Sequence, residues 1–149
     1  MKTILTAVDF SDVTDAVLAA TATMARALAA KVYLLHVAPP EPTFVTYEPG
    51  PQSERDFRAR ELRQEHRQVQ AMALALVDKG VAAEALLVQG PTAGKILEEA
   101  QRLDAKLIVL GSHGHGALYE LLVGSVADAV LRKSPCPVLV APSPGRKKV

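Results

Sequence analysis

Lys106-Leu107-Ile108-Val109-Leu110-Gly111-Ser112-His113-Gly114-His115-Gly116 is an apolar run of strand type that stops abruptly in glycine. Further on, Gly124-Ser125-Val126 opens a helical pattern over residues 125–133. Three glycines within six residues, directly after a buried strand, let backbone N–H groups approach an anion closely. The first N–H groups of the following helix lack internal partners, and its dipole places partial positive charge there. A phosphate fits such a terminus without a lysine, and the Ser125 hydroxyl adds one more donor. The same residues also satisfy a purely structural reading, since Ser125-x-x-Asp128 is a capping box.

Outward from this segment the chain alternates between strand and helix patterns. Residues 4–8 form a short β-branched run ended by Asp9, and Ser11 and Asp12 offer helix N-cap chemistry. Val13, Ala16, Val17, Ala20, Met24, Ala27 and Leu28 recur at helical spacing. Residues 31–37 (KVYLLHV) read as a second strand, largely continuous in hydrophobicity after Lys31, as expected of a strand covered on both faces. Six Pro and Gly residues over 39–53 predict a mobile loop. A long helix is expected over 54–79, stopped by Gly80. Its arginines alternate with acids, which reads as a solvated face with local ion pairs rather than an RNA surface. Strands at 81–88, 106–110 and 138–141, with helices at 93–103 and 125–133, complete the pattern. Such alternation implies a single α/β domain: an open parallel five-stranded sheet with helices on both faces. The domain is expected over 1–142, followed by a flexible basic tail at 143–149.

Composition narrows the function. The 149 residues are 49% hydrophobic, enough for a substantial core, and 17 basic against 16 acidic side chains give no reason to expect nucleic acid or an anionic membrane. Cys136 is the single cysteine, which excludes an intrachain disulfide and a thiolate metal cage; a buried, inert thiol is expected. The apolar run near the N-terminus is too short for a signal-peptide core, and none reaches membrane-spanning length, so a cytoplasmic protein is expected.

Several other motifs compete with the glycine loop. Gly90-Pro91-Thr92-Ala93-Gly94-Lys95 is one residue short of a P-loop and lacks its closing Ser or Thr; Thr92 reads as a helix cap. The glycine spacing after Leu110 is wrong for a dinucleotide fingerprint. His113 and His115 lack a third metal ligand nearby in sequence. His36 reads as a core or rim histidine, and no Ser-His-Asp set can be assembled.

Gly111, two residues, Gly114, nine residues, Gly124-Ser125 resembles the nucleotide-binding pattern of the universal stress protein family, in its ATP-binding, UspA-like branch. Residues 4–9 with Phe10-Ser11 are similar to that family's opening strand and acid, and Leu35-His36-Val37 to its second strand end. Gly124-Ser125-Val126-Ala127 through Ser134-Pro135-Cys136-Pro137-Val138-Leu139-Val140 resembles its last helix and strand. The likeness covers essentially the whole chain apart from the Pro-rich loop and the tail.

The resemblance implies a Rossmann-like sheet of the adenine nucleotide alpha hydrolase type, strand order 3-2-1-4-5. It implies a nucleotide site that includes Ala7, Val8, Leu110, His113 and His115, in which Asp9 and Val37 hold the adenosine end. Gly111, Gly114, Gly124, Ser125 and Val126 would hold the phosphates of ATP, with Mg²⁺ carried on them. It further implies a homodimer through the edge strand Val138–Ala141, serving in stress response. ATP is then a regulatory ligand, hydrolysed slowly if at all. The competing readings are a dimeric interaction module of the same fold without nucleotide, and a phosphotransferase, for which the loop offers few catalytic groups. Gly124 is expected to serve binding rather than folding. His115 stands where many members carry Lys or Arg; with a reference imidazole pKa of about 6.5, nucleotide affinity is expected to rise as pH falls.

Overall fold

The computed structural model describes residues 1–40, 52–113 and 123–143. Strands β1 (Thr3–Ala7), β2 (Lys31–Ala38), β3 (Ala83–Gln89), β4 (Leu107–Gly111) and β5 (Val138–Ala141) alternate with helices α1 (Thr14–Leu28), α2 (Gln52–Asp78), α3 (Thr92–Arg102) and α4 (Ser125–Lys133). All strand pairs are parallel, in the expected order β3-β2-β1-β4-β5.

Side chains along a strand alternate between the two faces. Ile4, Val32, Leu34, Leu107 and Val109 meet Val17 and Ala25 of α1 and Val69 and Leu76 of α2. Leu5, Leu35, Val37, Ile108 and Leu110 meet Ile96 and Ala100 of α3 and Ala127 and Val130 of α4. Each fully buried aliphatic side chain contributes about 1.5–3 kcal/mol, so this double-sided burial is the main force holding the layers. It also explains the run Val32-Tyr33-Leu34-Leu35 within β2.

The α1 face differs from the periodic reading. Ala27 is exposed, whereas Thr14 and Thr21 are buried. Thr21 tolerates burial because its hydroxyl donates to the Val17 carbonyl at 2.8 Å and lies 3.0 Å from the Thr6 hydroxyl on β1. Neither Ser11 nor Asp12 caps this helix. A turn intervenes, closed by Thr14 N–H to the Ser11 carbonyl at 3.1 Å, and the N-cap is Val13, without a side-chain hydrogen bond. Thr92 is not a cap either: Pro91 holds that position and Thr92 is already helical.

Gly80 ends α2 as expected. Its φ is +82°, and the N–H groups of Gly80 and Val81 reach the carbonyls of Val77 and Leu76 at 2.9 and 3.0 Å. Helix α1 stops in the same way, but with alanine: Ala29 has φ +49°, and Ala30 N–H donates to the Ala25 carbonyl at 2.9 Å. A side chain in the left-handed region costs about 1–2 kcal/mol, partly offset by the greater freedom glycine has in the unfolded chain. Ala29→Gly is therefore expected to stabilise the fold by about 0.5–1 kcal/mol, raising the melting temperature by about 1–4 °C. A lower melting temperature would contradict this account of the helix end.

Cys136 is half-buried rather than buried. It lines a cleft of about 430 Å³ with Ala105, Lys106 and Pro137, at the amino-terminal edge of β4 and β5. Among the described residues, no helix is long and apolar enough to cross a membrane.

Candidate functional site

The first and fourth strands are neighbours, and their connections diverge. From β1 the chain crosses to α1 on one face; after β4 it reaches α4 on the other. Such a divergence leaves a crevice at the carboxyl ends of the strands, where ligands of open α/β sheets sit. Asp9, Gly111 and the start of α4 all belong to this edge.

The turn after β1 is tightly held. Val8 N–H donates to the Leu35 carbonyl at 2.9 Å, continuing the sheet one residue past β1. One Asp9 carboxylate oxygen accepts the Ser11 N–H at 3.0 Å, an Asx turn. Between them Phe10 has φ +63°, a conformation uncommon for a bulky residue. Ala7 packs with Val37, Leu110 and Val123 on the α3–α4 face, whereas Val8 belongs to the α1–α2 face. Of the residues expected at the nucleotide site, Ala7, Val37 and Leu110 thus belong to the α3–α4 face and Val8 to the other, with the Asp9 turn following Val8.

The turn after β4 joins the last helix directly. Ser112 N–H donates to the Ala141 carbonyl of β5 at 2.8 Å, and its own carbonyl accepts the Gly124 N–H at 2.6 Å. Gly124 is the N-cap of α4, and no side chain caps this terminus among the described residues. The capping-box alternative therefore does not hold. Ser125 and Val126 are exposed, and Asp128 pairs with Arg132 at 3.0 Å instead of reaching back. His113 is half-buried; a Cβ placed on Gly124 would lie 3.8 Å from its Nδ1. Gly114 and His115 lie outside the described residues, and with them the pH expectation at His115.

Four buried polar atoms at this edge have no hydrogen-bond partner among the described residues: Ser11 Oγ, Thr14 Oγ1, Ser112 Oγ and His113 Nδ1. Such atoms ordinarily find a partner, so their concentration at the sheet's carboxyl edge marks a place built to meet another polar group. His113 was expected in the site from sequence; Ser11, Thr14 and Ser112 were not singled out in this role, although each lies within five residues of Asp9 or Gly111. Among the described residues, no group of three His, Cys, Asp or Glu is placed to hold a metal ion.

The two described glycines of the motif also have internal roles. A Cβ on Gly111 would lie 2.5 Å from Val13 Cγ1, so the start of α1 packs directly on the end of β4. A Cβ on Gly124 would lie 3.0 Å from the Ser112 carbonyl oxygen. The expectation that Gly124 serves binding alone needs correction: a side chain there presses on the protein's own backbone. In the near-P-loop segment Lys95 lies over Gly90 and pairs with Glu98 at 3.1 Å.

Comparison with known proteins places this architecture. The model of the universal stress protein family matches residues 1–142. A universal stress protein of Thermus aquaticus, from the QAH/OAS sulfhydrylase 3' region, is 37% identical over 139 residues, covering 93% of this chain and 97% of the relative. The structure of protein MJ0577 of Methanocaldococcus jannaschii superposes with a TM-score of 0.78 at 30% identity, covering 99% of this chain and 98% of that one. A universal stress protein from Archaeoglobus fulgidus, solved in complex with dAMP, has a TM-score of 0.67 at 25% identity, covering 95% and 98% of the two chains. With a family model spanning nearly the whole chain and a relative so similar over its full length, this chain belongs to the universal stress protein family.

Proposed function

We propose that this chain binds an adenine nucleotide, ATP with Mg²⁺, at the carboxyl edge of β1 and β4. It then acts in the cytoplasm as a nucleotide-dependent regulatory or protective dimer in stress response. The observation that carries the reading is the start of α4, tied at 2.6 Å to Ser112, where among the described residues no side chain caps the helix and Ser112 Oγ and His113 Nδ1 have no hydrogen-bond partner. Free N–H groups, a helix dipole and buried donors in one place suit an anion. Gly111, Gly114, Ser125 and Val126 line the phosphate side in this reading, with His113 and His115 as neighbouring donors. Asp9, Ala7 and Val37 receive the adenosine, and the phosphates themselves carry Mg²⁺. The dAMP complex of the Archaeoglobus relative supports the choice of an adenine nucleotide.

A nucleotide-free interaction module is the competing reading, favoured by the packing reasons found for Gly111 and Gly124. Mass analysis of small molecules released from purified, heat-denatured protein separates the two. ATP, ADP or AMP near one equivalent per chain is expected; none released, and no binding of added nucleotide, would favour the module.

The dimer rests on β5. Strand Val138–Ala141 ends the sheet order and is short and apolar, with no strand on its outer edge among the described residues. Sedimentation is expected to show a dimer at roughly tens of micromolar chain. Monomer alone at that concentration would contradict pairing through this strand.

A further inference from the structure

The Asp9 turn is held from below by a residue that the nucleotide reading leaves unused. His36 sits near the end of β2 and is only 7% exposed. Its Nδ1 lies 2.9 Å from the Val8 carbonyl oxygen. A carbonyl oxygen only accepts, so Nδ1 carries the hydrogen and donates. The ring packs on Phe10, with centroids 4.4 Å apart and planes inclined by 34°. Its other nitrogen, Nε2, faces Glu65 Oε2 of α2 at 3.5 Å, an ion pair whenever Nε2 is also protonated. Neither of those two atoms has a hydrogen-bond partner among the described residues.

His36 therefore touches the residues on both sides of Asp9 and is itself steadied from α2. Phe10 is held at φ +63° only if its surroundings over-determine that conformation, and the imidazole face supplies part of this restraint. Helix α2 meets the same edge a second time, where Arg58 Nη2 donates to the Pro39 carbonyl at 2.7 Å. Arg58, Glu65 and Val69 follow one another at intervals of seven and four, so one face of α2 is polar over the site and apolar over the sheet.

We propose that His36 is a positioning residue: with Glu65 behind it, it fixes the Val8–Phe10 turn so that Asp9 is presented to the nucleotide. The inference rests on the nucleotide reading for its consequence, but the positioning itself can be measured without ligand. The test uses the full chain and the substitutions His36→Leu, His36→Asn and Glu65→Ala. Asparagine keeps a donor near the Nδ1 position and loses the Glu65 contact; leucine keeps bulk and loses both polar contacts.

In the absence of nucleotide, His36→Leu is expected to speed amide exchange at Phe10 and Ser11 by about tenfold, the weight of one lost hydrogen bond, while amides of β4 keep their natural rates. His36→Asn should restore most of the protection. ATP affinity should fall about tenfold in His36→Leu and about threefold in Glu65→Ala, which leaves the sheet untouched. Equal acceleration of all amides, unchanged exchange at the turn, or no rescue by asparagine would overturn the proposal. Absence of ATP binding in the natural chain would instead overturn the nucleotide reading, with the exchange result still deciding whether His36 positions the turn.

Discussion

Gly111→Ala is expected to destabilise the protein by about 2–3 kcal/mol, the upper part of the range for overpacking a close-packed interior. The added Cβ falls 2.5 Å from Val13 Cγ1 and 3.2 Å from Cγ2, distances at which something must shift. Little can. Val13 is 3% exposed and β-branched, so it has few rotamers to retreat into. Gly111 is itself paired with Ala141 of β5. The clash is specific to one partner, which makes it testable by a double-mutant cycle in urea. Val13→Ala removes the two methyls that Gly111→Ala would meet. The double variant is expected to be about 1–2 kcal/mol more stable than the sum of the single changes allows. Additive effects would show that Gly111 is not there to admit α1.

Gly124→Val is expected to lower ATP affinity at least about 100-fold, a loss of about 2.7 kcal/mol. Gly124 has φ −70° and ψ 168°, an extended conformation open to any residue, so its requirement is space and not backbone freedom. The Cβ itself would come within 3.0 Å of the Ser112 carbonyl oxygen that accepts the Gly124 N–H. Valine adds two methyls on the side where the first N–H groups of α4 open. The substitution should therefore displace the helix start from the end of β4 as well as obstruct an anion there. A stability loss of about 1–2 kcal/mol, or about 2–8 °C in melting temperature, should accompany the loss of affinity. Gly124→Ala should show the smaller share of both effects. Calorimetry alongside thermal melts checks the pair; unchanged affinity in the valine variant would place the phosphates elsewhere.

What sequence alone discloses here follows the range of the interactions involved. Strand and helix alternation was legible because burial on both faces forces apolar runs such as residues 107–110, and Gly80 was legible because a left-handed helix end favours glycine. The strand order came from the family resemblance and not from periodicity, which is blind to which strands neighbour which. Short-range polar readings fared worse. Ser11, Asp12, Thr92 and Ser125 all have cap chemistry, yet the observed caps fall one or two positions away, at Val13, Pro91 and Gly124. Thr21 and Ala27 exchanged places between core and solvent because alanine carries little hydropathy signal and a threonine hydroxyl can be satisfied within its own helix. Glu65 was hidden among the charges of α2; only its place four residues before the buried Val69 hinted that it faces inward. The clash partner of Gly111 lies far away in sequence, at Val13, so spacing could suggest a ligand but not the packing that the glycine also permits.

In the proposed function an adenine nucleotide sits at the carboxyl edge of β1 and β4, on the start of α4. Residue-resolved amide exchange of the full chain, with and without millimolar ATP and Mg²⁺, tests it most directly. The account predicts slowed exchange at the amides of Gly111, Ser112 and His113, of Ser125, Val126 and Ala127, and of Phe10 and Ser11, with the amides of β3 unchanged. No change at these positions, or protection confined to another part of the molecule, would contradict it.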